Sequence, residues 1–321
     1  MALKIGPFSL NTSWLKIIIK LLLISLAVTI LVRIGAFNRD LLSSLHLQLS
    51  NAFFSLIIVT IIAFLLTWRW LIILTGAGII SHYWKLCRIV FIGFFYNTML
   101  PGNTGYDLAV ISYATTEHEV DKTLTACSVI VDRLLGIITL LLISLLSLLY
   151  LLMLGGSTLA LKRLIKIVIF LSLTGFLILA FIGWALKHQR LESFRIRGFL
   201  LKDLLRLRPK GQKLLLIMLI SLFVHGLIIF NMINCAHILG YKDINIPIWL
   251  AVVPLALLIN QLSITPGGLG VGEFSLFTLL ALFDSGHNPN PGALVFILFR
   301  LSFFLLALPG AFFLFFRPYK K

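Results

Sequence analysis

The chain has 321 residues, of which 60% are hydrophobic and 12% charged, and its mean hydropathy is +1.07. This balance excludes a water-soluble globular protein and indicates a polytopic membrane protein. The 27 Lys and Arg residues outnumber the 11 Asp and Glu residues and gather at the ends of apolar segments. That distribution indicates positive-inside topology and contact with anionic lipid rather than a nucleic-acid partner.

The apolar segments, taken in chain order, predict about six full membrane spans. Residues 17–32 follow a basic stretch and lack a clear signal-peptide cleavage site, so we expect a retained first span that begins inside. Leucines at helical spacing in residues 33–50 predict a short interfacial helix. Trp68, Arg69 and Trp70 close the second span and suit the membrane interface. The predicted full spans are residues 17–32, 51–74, 123–153, 165–186, 214–239 and 293–316.

Two further apolar segments are interrupted by proline and glycine, at residues 97–107 (NTMLPGNTGYD) and 263–273 (SITPGGLGVGE). A helix continues through such residues only at a high cost, and non-helical backbone at membrane depth must be buried in protein or line a wet cavity. We therefore predict two re-entrant hairpins, each made of two half-helices. The predicted elbow residues are Pro101, Gly102 and Gly105 in the first hairpin and Pro266, Gly267, Gly268 and Gly270 in the second.

The two interrupted segments also share their surroundings. In each, an asparagine precedes the proline–glycine break, a carboxylate ends the segment, and an arginine lies 26 residues after the first carboxylate and 27 after the second. This correspondence predicts an internal repeat of residues 10–156 and 157–316 within a single integral membrane domain, residues 1–321. The number of spans between the hairpins makes the repeats inverted and places both termini and the basic loop 187–213 in the cytoplasm.

The charged residues in apolar sequence are the candidate site. Each arginine must find a partner, because a charge at the bilayer centre costs at least about 2.5–3.5 kcal/mol. We expect the span that follows each hairpin to bring Arg133 to Asp107 and Arg300 to Glu273. Two roles stay open for both arginines: a structural clasp on this carboxylate, or a bidentate ligand for a lipid phosphate. The carboxylates either lock the hairpins or titrate, and the asparagines either satisfy broken backbone or join the site. The candidate substrate-binding residues are Arg133, Arg300, Asp107, Glu273, Asn97 and Asn260.

Four short motifs resemble one family, the flippase-like transmembrane domain of lysylphosphatidylglycerol synthases, including standalone relatives without a catalytic half. They are Asn97-x-x-x-Pro-Gly-x-x-Gly-x-Asp107, Asp132-Arg133-Leu-Leu-Gly136, Pro266-Gly-Gly-Leu-Gly-x-x-Glu273 and Phe299-Arg300-Leu301. The resemblance covers roughly residues 10–316 and implies inverted repeats, re-entrant hairpins and movement of lipids between leaflets. Three positions depart from the family pattern: Tyr106 replaces a glycine, and Val110 and Gly272 replace basic residues.

The favoured function is therefore a lipid flippase of the prokaryotic cytoplasmic membrane that acts on anionic or phosphate-bearing lipids. One alternative is an accessory or scaffold subunit of a lipid- or glycan-modifying system, and another is a membrane-embedded lipid-modifying enzyme. We expect no enzyme activity, because H-x-x-x-H, D-x-x-D and G-x-S-x-G motifs are missing. Cys87, Cys127 and Cys235 show no metal-ligand spacing, so we expect no metal or other cofactor. Oligomerisation and a separate lipid-modifying partner enzyme stay open.

Overall fold

The protein is described by a computed structural model. It covers residues 49–99, 104–118, 122–155, 159–187, 207, 211–241, 244–261, 265, 268–283 and 291–316. All the regular structure in these ranges is α-helical. The helices are α1 (Leu49–Gly76), α2 (Tyr83–Met99), α3 (Thr104–His118), α4 (Lys122–Met153), α5 (Leu159–Lys187), α6 (Gln212–Ile238), α7 (Ile246–Gln261), α8 (Val271–Ala281) and α9 (Gly292–Phe316).

Four of the described helices are long and apolar enough to cross a membrane: α1, α4, α6 and α9. They coincide with four of the six predicted spans. The predicted span at residues 165–186 lies within helix α5. The predicted span at residues 17–32, almost all of the interfacial helix, most of the basic loop and both termini lie outside the described residues.

Both interrupted segments consist of two helices rather than one. Helices α2 and α3 pack against each other, as do α7 and α8. In the second pair, Gly268 and Gly270 adopt φ angles of +75° and +87°, which residues with a Cβ rarely adopt. The elbow prediction is wrong for Gly105, which lies in the first turn of α3. The predicted elbow residues Pro101, Gly102, Pro266 and Gly267 lie outside the described residues.

The two halves of the chain pack reciprocally. Helix α2 lies along α9, helix α7 lies along α4, and α1 packs against α6. The first arm of each hairpin therefore rests on the last helix of the other half. The α2–α9 crossing is close enough that a Cβ on Gly310 would collide with the backbone carbonyl of Phe91, so only glycine fits there.

The carboxyl-terminal part of α1 is buried inside the protein. Arg69 and Trp70 are 5% and 4% exposed, and Trp70 Nε1 donates a hydrogen bond to Ser128 Oγ at 3.1 Å. The sequence predicts that these two residues suit the membrane interface, and in the structure their side chains face the protein interior rather than the lipid. Only Trp68 of the three, at 43% exposure, presents its ring outward.

Candidate functional site

The first predicted carboxylate–arginine pair is formed between α3 and α4. Arg133 donates to Asp107 Oδ1 from Nε at 2.9 Å and from Nη2 at 2.8 Å. Its Nη1 donates to Gln261 Oε1 of α7 at 3.2 Å, and its guanidinium lies over the Tyr106 ring at 5.8 Å. The side chains of Arg133 and Asp107 are 28% and 27% exposed. This pair is therefore well coordinated but accessible.

The second predicted pair is formed between α8 and α9 and is more enclosed. Arg300 donates to Glu273 from Nε at 2.8 Å and from Nη2 at 3.3 Å. Nη2 also donates to the Gly268 carbonyl at 2.9 Å, and the guanidinium lies 5.2 Å from the centre of the Phe296 ring. Glu273 accepts a further bond from the Gly270 backbone N–H at 2.8 Å, and its side chain is only 1% exposed. The pair thus ties both helices to the glycine turn before α8.

The last two residues of α7 reach both arginines. Asn260 Oδ1 accepts a long hydrogen bond from Arg300 at 3.5 Å, while the neighbouring Gln261 contacts Arg133. The two half-sites therefore meet at the end of one helix. For the corresponding Asn97, the Oδ1 atom is buried and makes no hydrogen bond with any described group. Gln261 was missed because its partner is 128 residues away in the sequence.

A third ion pair was not anticipated from the sequence. Arg69 of α1 donates to both carboxylate oxygens of Asp132 at 2.7 Å, and its Nη1 donates to Ser221 Oγ of α6 at 3.0 Å. The demand that an arginine in an apolar helix find a partner applies to Arg69 as it does to Arg300. Because tryptophans flank Arg69, the sequence indicated a membrane-interface position, where an arginine needs no partner from another helix.

A buried histidine lies one turn along α6 from Ser221. His225 Nδ1 is 3.2 Å from Thr139 Oγ1, and the threonine hydroxyl also bonds to backbone carbonyls of its own helix. Because that hydroxyl donates to the backbone, it accepts from the histidine ring. The contact makes His225 a packing residue between α4 and α6. The other helix α6 histidine, His237, faces outward near Tyr241.

A cleft of about 200 Å³ opens between α3 and α4 beside the first pair. Its apolar walls include Ile111, Val129, Ile130 and Leu134, and its charged residues are Asp107 and Arg133. A larger groove of about 480 Å³ runs along α1 next to Tyr83, and its lining carries no charged side chain. Of these two cavities, the α3–α4 cleft offers a charged group next to apolar walls.

The model of the lysylphosphatidylglycerol synthase TM region family matches residues 17–310, nearly the whole chain. The chain belongs to this family. Together with the long apolar helices, this makes it an integral membrane protein and confirms the resemblance carried by the four motifs. No curated protein and no solved structure matches the chain.

Two departures from the family pattern have a local structural reason. A Cβ on Gly272 would collide with the Phe296 ring and lie 2.9 Å from Asn260 Oδ1, so a basic side chain has no room there. Tyr106 packs against Gly93, where an added Cβ would lie 2.9 Å from the tyrosine ring. The large residue on α3 and the small one on α2 thus fit each other. Among the described residues, no group of three His, Cys, Asp or Glu side chains is placed to hold a metal ion.

Proposed function

We propose that this chain is a translocator that moves phosphate-bearing lipids between the leaflets of the prokaryotic cytoplasmic membrane. The observation that carries the proposal is the Asp107–Arg133 pair in the α3–α4 cleft. A lipid needs a polar contact for its head group and apolar contacts for its acyl chains, and the cleft supplies both. Membership of the lysylphosphatidylglycerol synthase TM region family supports a lipid-related role.

Arg133 is the residue that we assign to the lipid phosphate. A guanidinium binds a phosphate through two parallel N–H donors, and Arg133 already presents Nε and Nη2 side by side to Asp107. A phosphate would take over these donors from the carboxylate. The displaced Asp107 would then accept hydrogen bonds from hydroxyl or ammonium groups of the same head group, so no buried charge is left without a partner.

Arg300 is less accessible to a ligand than Arg133, because its side chain is 20% exposed against 28% and its carboxylate partner is 1% exposed against 27%. Its Nε and Nη2 are engaged by Glu273 and by the Gly268 carbonyl, and Glu273 is almost completely buried. Of the two roles left open by the sequence, this geometry favours the clasp for Arg300. We propose that Glu273, Arg300 and Asn260 hold the second elbow, while Arg133, Asp107 and Gln261 meet the lipid.

We propose further that the two halves are inverted repeats, as the sequence predicts for residues 10–156 and 157–316. The reciprocal packing supports this arrangement, because exchanging α1 with α6, α2 with α7, α3 with α8 and α4 with α9 preserves the main helix contacts. Inverted repeats allow one half to rock against the other around a fixed site, which alternately exposes the site to the two sides.

The test uses the full chain in vesicles of phosphatidylglycerol and phosphatidylethanolamine that contain a trace of fluorescent phosphatidylglycerol. Chemical quenching of the outer leaflet measures how fast the label crosses. We expect the wild-type protein to move the labelled lipid between the leaflets. The Arg133→Lys variant should fold with the same yield but transport at least about tenfold more slowly, since lysine lacks the planar fork. Arg163→Lys is the matched control, because Arg163 is exposed on α5; its transport should be unchanged.

Three outcomes would contradict the proposal. Transport at the wild-type rate in Arg133→Lys would remove Arg133 from the lipid site. No transport by the folded wild-type protein would favour an accessory subunit. Mass spectrometry of the same lipids would support an enzyme if a new covalently modified species appeared.

A further inference from the structure

Two consecutive residues of α4 take part in two separate ion pairs. Asp132 has Arg133 next to it in the chain, yet its carboxylate bonds to Arg69, 63 residues away. Arg133 bonds instead to Asp107 of α3 and to Gln261 of α7. The two neighbouring side chains therefore bind different partners: the carboxylate of Asp132 binds α1, and the guanidinium of Arg133 binds the two hairpins.

Arg69 is fixed in this position. Its Nε and Nη2 bind the two oxygens of Asp132, and its Nη1 binds Ser221 Oγ, whose own hydroxyl donates to the Ile217 carbonyl at 2.8 Å. All three guanidinium nitrogens are engaged by the protein, and the side chain is only 6% exposed. Arg69 is thus too enclosed to be a ligand for lipid itself, and whatever it contributes to the site acts through Asp132.

We infer that Arg69 is a positioning residue: it sequesters the Asp132 carboxylate so that the charge of Arg133 stays available to a lipid phosphate. The four charges, Arg69, Asp132, Arg133 and Asp107, sum to zero. Without Arg69, two carboxylates would share one arginine, and a phosphate at Arg133 would meet an excess negative charge. This inference rests on the proposed function and adds that Arg69 and Asp132 set the affinity of the Arg133 site for phosphate.

The inference predicts opposite effects for the two single neutral variants. Asp132→Asn leaves Arg69 as an extra positive charge and should tighten binding of a phosphate, whereas Arg69→Met should weaken it. Each change should be about tenfold or more, because adding or removing a unit charge in the same cluster acts strongly at an effective dielectric constant near 20. The double variant Arg69→Met/Asp132→Asn should return to about the wild-type affinity. A purely structural pair predicts instead that both single variants weaken binding.

The experiment titrates dioctanoyl phosphatidylglycerol into the purified full chain in mild detergent and expresses binding per folded protein. Dioctanoylglycerol, which lacks the phosphate, and inorganic phosphate, which lacks the chains, are the two comparison ligands. Ser144→Ala is the control for disturbing α4 without a charge change, because the buried Ser144 hydroxyl donates to the Leu140 carbonyl of its own helix. If Arg69→Met fails to fold, Arg69→Lys replaces it; lysine keeps the charge but loses the fork, so binding should weaken a few-fold.

Changes of opposite sign that depend on the lipid phosphate, with recovery in the double variant, support the inference. Weaker binding in both single variants, or unchanged binding in both, overturns it even if transport is intact. Binding of inorganic phosphate with the same pattern supports the inference and identifies the phosphate, not the lipid, as the recognised group. Loss of phosphate-dependent binding in the wild type overturns the inference, and only the combination of that loss with absent transport overturns the proposed function as well.

Discussion

Removing Arg300 should destabilise the protein far more than removing Arg300 and Glu273 together. In Arg300→Met, the buried Glu273 carboxylate keeps only the Gly270 N–H of its three hydrogen bonds. An uncompensated buried charge costs about 3–5 kcal/mol, and the Gly268 carbonyl loses its donor at about 1 kcal/mol more. In Arg300→Met/Glu273→Gln no charge remains, and the amide oxygen still accepts from Gly270. The double variant should therefore recover about 3 kcal/mol of the loss.

Thermal unfolding of the purified variants in detergent measures this coupling through a double-mutant cycle, with folded yield as a second readout. The clasp would be refuted if the unfolding free-energy changes of the two single variants summed to that of the double variant within about 0.5 kcal/mol. Transport in vesicles separates the clasp from the phosphate ligand. The double variant should translocate lipid at close to the wild-type rate, and a stable double variant without transport would show that Arg300 meets the lipid.

Two further predictions concern space inside the fold. Ile130→Trp should fill the α3–α4 cleft and slow lipid transport at least about tenfold. The control Ile169→Trp changes an exposed position on α5 and should leave the rate unchanged. Equal rates for the two variants in the vesicle assay would contradict the passage of lipid through the cleft. Gly310→Ala should destabilise the protein by at least about 2 kcal/mol, because the new methyl group meets the Phe91 carbonyl. Gly226→Ala, with open space around it, should be neutral or stabilising by up to about 1 kcal/mol. Similar unfolding temperatures for both alanine variants would contradict the close α2–α9 packing.

The sequence alone determined the membrane class, the five long apolar helices α1, α4, α5, α6 and α9, and the interruption of two apolar segments. These features follow from local chemistry, since helix length, proline and glycine act on neighbouring residues. It also predicted which carboxylate each of two arginines would meet. Asp107 and Arg133 lie on consecutive helices, as do Glu273 and Arg300, so each pair needs only the packing of two neighbouring helices. A charge in an apolar segment needs such a partner, which makes the nearest carboxylate a good choice.

Only the tertiary structure decided the partners that are distant in sequence. Apolar helix surfaces resemble one another, and lipid does not drive them together by hydrophobicity, so shape and isolated polar groups select the contacts. Arg69 could meet Asp132 only after α1, α4 and α6 had packed, and Gln261 could reach Arg133 only after α7 had crossed onto α4. The same packing closes one half-site around Glu273 and leaves the other open at Arg133. The sequence could not predict this difference, because the carboxylate-to-arginine spacing is nearly the same in both halves.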